Sequence, residues 1–308
     1  MESHLSPPGD HRRYVLSMTF DPMVTEDVLA NVGAEMARHT FPFLTPISAA
    51  ITYSQGQSIG SGTFLKLNDA YYVITNEHVA ETRNEYRLAF FGGNNQHAIA
   101  IIHPFRCITQ PTDAAIARID DEIFPVEHKS AVTNSRIEHA FAPSEGEIVF
   151  LHGYPGITSY FSPMMKTLIN KTCPYATDVA DLPPKYDPDL HFAINYPAPG
   201  KEAVKDFDGN PVDLPDPHGL SGTLLWDTKY IGKNGENWSP TDAMVTGIIH
   251  QWDTEHQLLI GTKIEILRVF LVDSLRQEAA YFNWLKRGKP LDESMIDWYS
   301  AIETVPDI

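Results

Sequence analysis

The spacing of apolar positions divides the chain into regions of different period. From Ile47 onward, short apolar and β-branched runs broken by Gly, Asn and Pro recur at close intervals over 47–53, 61–67, 70–75, 86–91, 99–103 and 114–119. Strands this close together, with no helical pattern between them, predict an antiparallel sandwich or barrel. A second set begins near Gly146 and covers 148–152, 190–196, 223–227, 244–250 and 257–263. The charged, irregular residues 120–145 read as a linker between the two sets. The Pro- and Asp-rich stretch 174–217 reads as long surface loops holding one apolar strand.

Helical spacing appears at both ends. Residues 1–24 carry Pro7, Pro8, Gly9 and Pro22 and no sustained period, so a loosely packed leader is expected. A short helix should follow, capped by Thr25, with Glu26 and Asp27 at its positive end and Val28, Leu29, Val32 and Met36 on one face. Beyond the second set, Ile264, Leu267, Leu271, Leu275, Ala279, Phe282 and Leu285 recur every three or four residues until Gly288 and Pro290. That pattern predicts a helix and then a second, shorter one over 291–302. Burying each large apolar side chain of the stripe contributes about 1.5–3 kcal/mol, so the helix is expected to pack on the second β unit.

Composition narrows the function classes. The 308 residues are 43% hydrophobic and 11% aromatic, enough for a sizeable core. A formal charge of −17 argues against nucleic-acid binding, which needs a basic surface to release counterions. No run approaches the length of a membrane span, and the first residues lack the basic then apolar regions of a secretory signal, so a cytoplasmic protein with no membrane partner is expected. Cys107 and Cys173 read as buried free thiols. None of the thirteen histidines shows zinc-ligand spacing, so neither metal nor cofactor is expected.

Candidate chemistry gathers around Gly219-Leu220-Ser221-Gly222, which runs directly into an apolar strand. A serine between glycines can occupy a tight turn whose N–H groups converge beside a developing oxyanion. Its hydroxyl needs a base, normally a histidine held in one tautomer by a buried carboxylate. His78 ends the run from Tyr71, where a strand gives way to a turn or helix. Asp113 opens the run Ala114–Ile119, where a loop enters a buried strand.

The ordered motifs Gly60-Ser61-Gly62-Thr63-Phe64, Val73-Ile74-Thr75-Asn76-Glu77-His78-Val79, Asp113-Ala114-Ala115-Ile116-Ala117, Gly153-Tyr154-Pro155, Gly219-Leu220-Ser221-Gly222 and Gly247-Ile248-Ile249 resemble those of the chymotrypsin-like (trypsin-like) serine peptidases, in particular the bacterial type related to the Deg proteases. The resemblance spans roughly residues 45–270. It implies an all-β core of two antiparallel six-stranded β-barrels with the active site between them. The chain would then divide into a leader and short helix over 1–44, a first barrel over 45–125, a second over 140–265 and a helical extension over 266–308. His78 would be the general base, Asp113 its orienting carboxylate and Ser221 the nucleophile, with the N–H groups of Gly219 and Ser221 as the oxyanion hole. The strand carrying His250, Gln251 and Trp252 would bind an extended peptide or protein substrate.

Two departures from the family pattern shape the expectation. Where zymogen-type members carry an Asp before the serine, this chain has Leu220, and no Ile-Val-Gly-Gly cleavage motif precedes the first barrel. Activation by a released N-terminus is therefore not expected. After the serine, Ser221-Gly222-Thr223-Leu224 replaces the common Ser-Gly-Gly-Pro and sets a β-branched side chain beside the nucleophile. A serine endopeptidase is expected, the alternative being a catalytically silent protease-like module that holds a partner peptide. An α/β-hydrolase esterase is disfavoured, because that fold needs Gly-x-Ser-x-Gly and the order Ser, acid, His.

Overall fold

The structure, a computed structural model, describes residues 14–16, 24–52, 55–92, 97–122, 129–162, 167–198, 204–206, 210–235, 237–290, 294–305 and 308. Two β-sheets dominate it. The first runs in the spatial order His97–Ala100, Arg87–Gly92, Leu44–Thr52, Gln55–Leu67, Ala70–Thr75, Ala114–Ile119, Arg106–Ile108, and the short strand Val132–Thr133 lies parallel to Gln55–Leu67. Its central hairpin is set by local chemistry. Asn68 and Asp69 take φ of 47° and 63°, a conformation these two residue types tolerate, and they pair Leu67 with Ala70 across a two-residue turn. Ile47, Phe64, Val73, Leu88, Phe90 and Ala117 fill one core against this sheet.

The second sheet has ten strands in the order Val179–Ala180, His191–Asn195, Leu258–Lys263, Met244–Asp253, Leu224–Asp227, Val149–Gly153, Cys173–Thr177, Tyr14–Leu16, Val204–Lys205, Pro211–Val212. All its pairings are antiparallel except that of Tyr14–Leu16 with Cys173–Thr177. A separate hairpin joins Tyr160–Ser162 to Thr167–Ile169.

The two mainly antiparallel sheets bear out the expected all-β core with C-terminal helices, but not two closed six-stranded barrels. They hold eight and ten strands, and no pairing among the described residues closes either one from its first strand to its last. The additional strands are mostly two or three residues long, too short to display a period. Cys173–Thr177 was hidden differently. It is buried throughout, so its two faces do not alternate, and Pro174 at its second position reads as a strand breaker. It therefore lies in sheet rather than in the surface loops expected from 174 onward. Tyr14–Leu16 likewise sits in the sheet, whereas the rest of the expected leader, apart from Val24, is outside the described residues. The stretch 129–145 is anchored and not a free linker: Ile137 is buried and bridged to Val245, and Lys129 Nζ donates to the Leu44 carbonyl at 2.6 Å.

Four helices frame the sheets: α1 (Glu26–Thr40), α2 (Glu77–Glu81), α3 (Ile264–Lys286) and α4 (Ser294–Thr304). Thr25 Oγ1 caps α1 by accepting from the Val28 N–H at 3.3 Å, and Leu29, Val32 and Met36 are buried as their spacing requires. Along α3, Ile264, Leu267, Leu271 and Leu275 are buried in a core that also takes in residues of both sheets, including Tyr72, Ile116, Phe150 and Ile248. Phe282, expected on this stripe, is 39% exposed and lies under the Arg118 guanidinium instead. Gly288 at φ +82° ends the run. The next helix begins at Ser294, and residues 291–293, expected at its start, are outside the described residues. Cys173 is buried but Cys107 is exposed, which corrects the expectation for the latter; both thiols are free. No helix among the described residues is long and apolar enough to cross a membrane.

As expected, α3 packs on strands of the second sheet, and it reaches the first sheet as well. Its Glu278 carboxylate is buried against the first sheet, accepting from the Tyr72 hydroxyl at 2.7 Å and from Arg118 at 3.3 Å. Removing one member of a buried charged network leaves the others desolvated and unpaired. Glu278→Ala should therefore lower the unfolding free energy by about 3 kcal/mol in urea titrations. A loss below about 1 kcal/mol would mean that apolar packing alone seats the helix.

Candidate active site

Strand Ala70–Thr75 passes through Asn76 into α2, which carries His78 with its side chain 46% exposed. Asp113 stands at the entry to Ala114–Ile119, 1% exposed and at φ 47°. Strand pairing sets Thr75 opposite Ala115, so the register of the first sheet brings the ends of the two strands together. The Asp113 carboxylate accepts the His78 backbone N–H at 3.2 Å and the His78 Nδ1–H at 2.6 Å, with Gln110 Nε2 at 3.4 Å. A carboxylate only accepts, so the imidazole proton is on Nδ1 and the Nε2 lone pair is left for a second partner. Burial alone would raise the Asp113 carboxyl, but the hydrogen bonds from His78 and the charges of His78 and His250 hold it below its ordinary value.

Ser221 comes from the turn leading into Leu224–Asp227. Its carbonyl accepts the Ser61 N–H at 2.8 Å, so the turn is bonded directly to the first sheet. Ser61 Oγ donates to the Gly219 carbonyl at 2.8 Å and accepts the Tyr154 N–H at 2.8 Å. A Cβ on Gly222, at φ +89°, would lie 2.2 Å from the Ser61 carbonyl oxygen and 3.0 Å from Thr75 Cα, three residues before His78. Gly60 is wedged between Val79 of α2 and the Ser221 carbonyl. Ser221 and α2 are thus neighbours across one strand. Ser221 Oγ and His78 Nε2 are not hydrogen bonded to one another.

The peptide orientations of this turn follow from its carbonyl partners. The His218 carbonyl accepts from Gly156 N–H at 2.6 Å and the Leu220 carbonyl accepts from Thr223 N–H at 3.0 Å. In a trans peptide the N–H points opposite to the C=O, so the N–H groups of Gly219 and Ser221 face away from these bonds. No backbone carbonyl among the described residues accepts from either one. Two free N–H groups beside one hydroxyl can stabilise an anionic oxygen. Leu220, at the position where zymogen-type members carry an Asp, is fully buried with Tyr175, Leu214 and Ile249.

Composition and spacing did not single out the parts that brace this turn. The motif around Ser61 was visible, but no role was legible for its side chain. Gly153 was visible too, but its reason is tertiary: a Cβ there would meet Thr223 Oγ1 at 2.2 Å and Ser61 Oγ at 2.9 Å. Of the three residues expected to contact substrate, Gln251 is exposed and Trp252 half-buried with its ring edge-on to His218 at 6.0 Å. His250 is only 5% exposed and packs against His191, with ring centroids 5.4 Å apart. Away from this site, Asp253, Glu255 and His256 gather potential metal ligands within 4.8 Å, but Asp253 Oδ2 already meets Lys185 Nζ at 3.0 Å and His256 Nδ1 at 2.9 Å.

No family model matches the sequence, and no curated protein matches it. Solved structures give distant likenesses. The active form of the Rv3671c protease from M. tuberculosis is 17% identical, with 85% of this chain and 88% of that chain covered and a TM-score of 0.40. The serine protease domain of the Sesbania mosaic virus polyprotein is 11% identical, covering 73% and 90%, at 0.40. Tobacco etch virus protease complexed with product is 12% identical, covering 72% and 73%, at 0.38. Scores this low carry no argument about fold or activity, so the functional reading rests on the side-chain geometry.

Two imidazoles shielded from water make acid stability a direct check on this packing. Burial lowers His250 to about 4, the neighbouring charges acting less strongly, and burial with Arg136 nearby lowers His39 to about 4. Between those values and 6.5 the unfolded chain binds more protons than the folded one, so stability falls as pH drops through this window. His250 alone should remove about 2 kcal/mol between pH 7 and pH 5, read as a shift in the urea midpoint that His250→Asn reduces. An unchanged midpoint over that range would show that these rings titrate as they do in water.

Proposed function

We propose that the protein is a chymotrypsin-like serine endopeptidase that cleaves peptide bonds through an acyl-enzyme on Ser221. The observation that carries the reading is the His78 Nδ1–H bond of 2.6 Å to a carboxylate, Asp113, that is itself buried. That bond orients the imidazole with Nε2 as the basic atom, which is the state a general base requires. In the proposed reaction His78 Nε2 takes the proton of Ser221 Oγ as the oxygen attacks the substrate carbonyl. The N–H groups of Gly219 and Ser221 stabilise the resulting oxyanion, and His78 then gives the proton to the leaving amine. Water attacks the acyl-enzyme in the second half by the same route. Asp113 remains ionised and balances the imidazolium. Gln251 and Trp252, on an exposed stretch of strand beside the turn, are proposed to hold the substrate; the buried His250 does so only if its neighbours move.

The absence of a Ser221–His78 hydrogen bond favours a second reading, a protease-like module that holds a peptide without cutting it. Such bonds are often long before substrate binds and tighten in the Michaelis complex, so the catalytic reading stands first.

Labelling with a fluorophosphonate, the modified residue located by mass spectrometry, should find the adduct on Ser221. Ser221→Ala and His78→Ala should each lower kcat by roughly 10⁵-fold, with the double variant little worse, because the groups act as one unit. Asp113→Asn should cost about 10⁴-fold by favouring the wrong tautomer. Hydrolysis undiminished in Ser221→Ala would overturn the assignment.

A further inference from the structure

Asp113 belongs to the first sheet, yet the turn that delivers it is gripped by the second. The turn runs Thr109-Gln110-Pro111-Thr112-Asp113 and is closed by the Asp113 N–H on the Thr109 carbonyl at 3.2 Å. From within the first sheet, buried Asn76 donates to the Asp113 carbonyl at 2.6 Å. The two carbonyls before Asp113 point the other way. Thr112 O accepts from Thr262 Oγ1 at 2.9 Å, and Pro111 O meets His191 Nε2 at 3.1 Å. A carbonyl cannot donate, so His191 carries its proton on Nε2.

The two donors are not scattered. His191 and Thr262 are direct cross-strand partners on neighbouring strands of the second sheet, so they project side by side from one face. Their spacing suits two successive carbonyls of one turn. The His191 ring is held between Tyr186, with centroids 6.1 Å apart, and His250 at 5.4 Å, and both donors are buried. Asp113 itself is in the left-handed region, where a non-glycine residue stays only if its surroundings hold it there.

We infer that His191 and Thr262 are positioning residues that fix Asp113, and through it His78, from across the interface between the two sheets. The inference rests on the proposed role of Asp113. Neither residue touches the reacting atoms. If the bracket loosens, the carboxylate swings and the Nδ1–H bond to it lengthens, so the base is misaimed. A purely structural bond would lower stability and leave the chemistry of the folded enzyme unaltered.

The test compares full-length Thr262→Val, Thr262→Ser, His191→Phe and His191→Gln, each measured well below its melting temperature. Valine and phenylalanine keep the shape and remove the donor; serine and glutamine restore one. Small displacements at a catalytic group are costly, so Thr262→Val and His191→Phe should each lower kcat about 10-fold or more with KM within about 2-fold. Thr262→Ser and His191→Gln should recover most of that loss. Proton NMR supplies a readout independent of turnover: the low-field resonance of His78 Nδ1–H, identified by its loss in Asp113→Asn, should shift or broaden in the two donor-deleted variants. Unchanged kcat together with an unchanged resonance in both would overturn the positioning role. Asp113→Asn as active as wild type would instead overturn the proposed triad, and the inference with it.

Discussion

The contact on which the site depends is the pair of bonds that Ser61 makes to the candidate nucleophile turn. Its N–H holds the Ser221 carbonyl and its hydroxyl holds the Gly219 carbonyl, both at 2.8 Å. Fixing these two carbonyls fixes the 219–220 and 221–222 peptide planes, which flank the plane that carries the Ser221 N–H. The same hydroxyl also takes the Tyr154 N–H, so one small side chain satisfies a backbone donor and a backbone acceptor in a buried place. A larger residue would displace the turn, and alanine would remove both bonds. Glycines surround this contact because nothing else fits: positions 60, 153 and 222 each have atoms within 3 Å of where a Cβ would be.

That grip also joins the two sheets at one site, beside the core they share under α3. Ser61 and Thr75 of the first sheet pack on the turn from the second, while His191 and Thr262 of the second hold the turn that carries Asp113. The exchange is reciprocal. Each sheet anchors a loop of the other, so misdocking would disturb the Ser221 turn and the Asp113 turn together. The helix α3 adds a third tie, leaving the second sheet at Ile264 and burying Glu278 against Tyr72 and Arg118 of the first. Removing charges from water is costly, and the acid and the base repay it only if they meet in good geometry, which makes this tie selective about the angle at which the sheets dock.

Electrostatics at the site follow the same division. Asp113 is almost wholly removed from solvent, yet remains below its ordinary pKa because His78 donates to it twice. His250 is kept neutral by burial, with His191 beside it. The His78 side chain itself is half-exposed, so its Nε2 edge is open to solvent or a ligand.

Local signals were strong enough to be read from residues alone where period and turn chemistry agree. The 70–75 and 114–119 strands, the Thr25 cap, the start of α3 at Ile264 and its stop near Gly288 all lie where the pattern sets them, and the motifs around His78, Asp113 and Ser221 stand at strand ends. What the sequence could not determine is non-local. Strands of two or three residues have no measurable period, Cys173–Thr177 is buried on both faces and so does not alternate, and Phe282 continues a helical stripe past the point where the sheets offer it cover. Only the docking of the sheets decided that Ser61 braces the Ser221 turn, that His250 is buried, and that His191 and Thr262 reach the turn carrying Asp113. The physical reason is one of range. Periodicity reports which face of an element is apolar, whereas a hydrogen bond between residues 80 or 150 positions apart exists only after two cores have formed and chosen a common register.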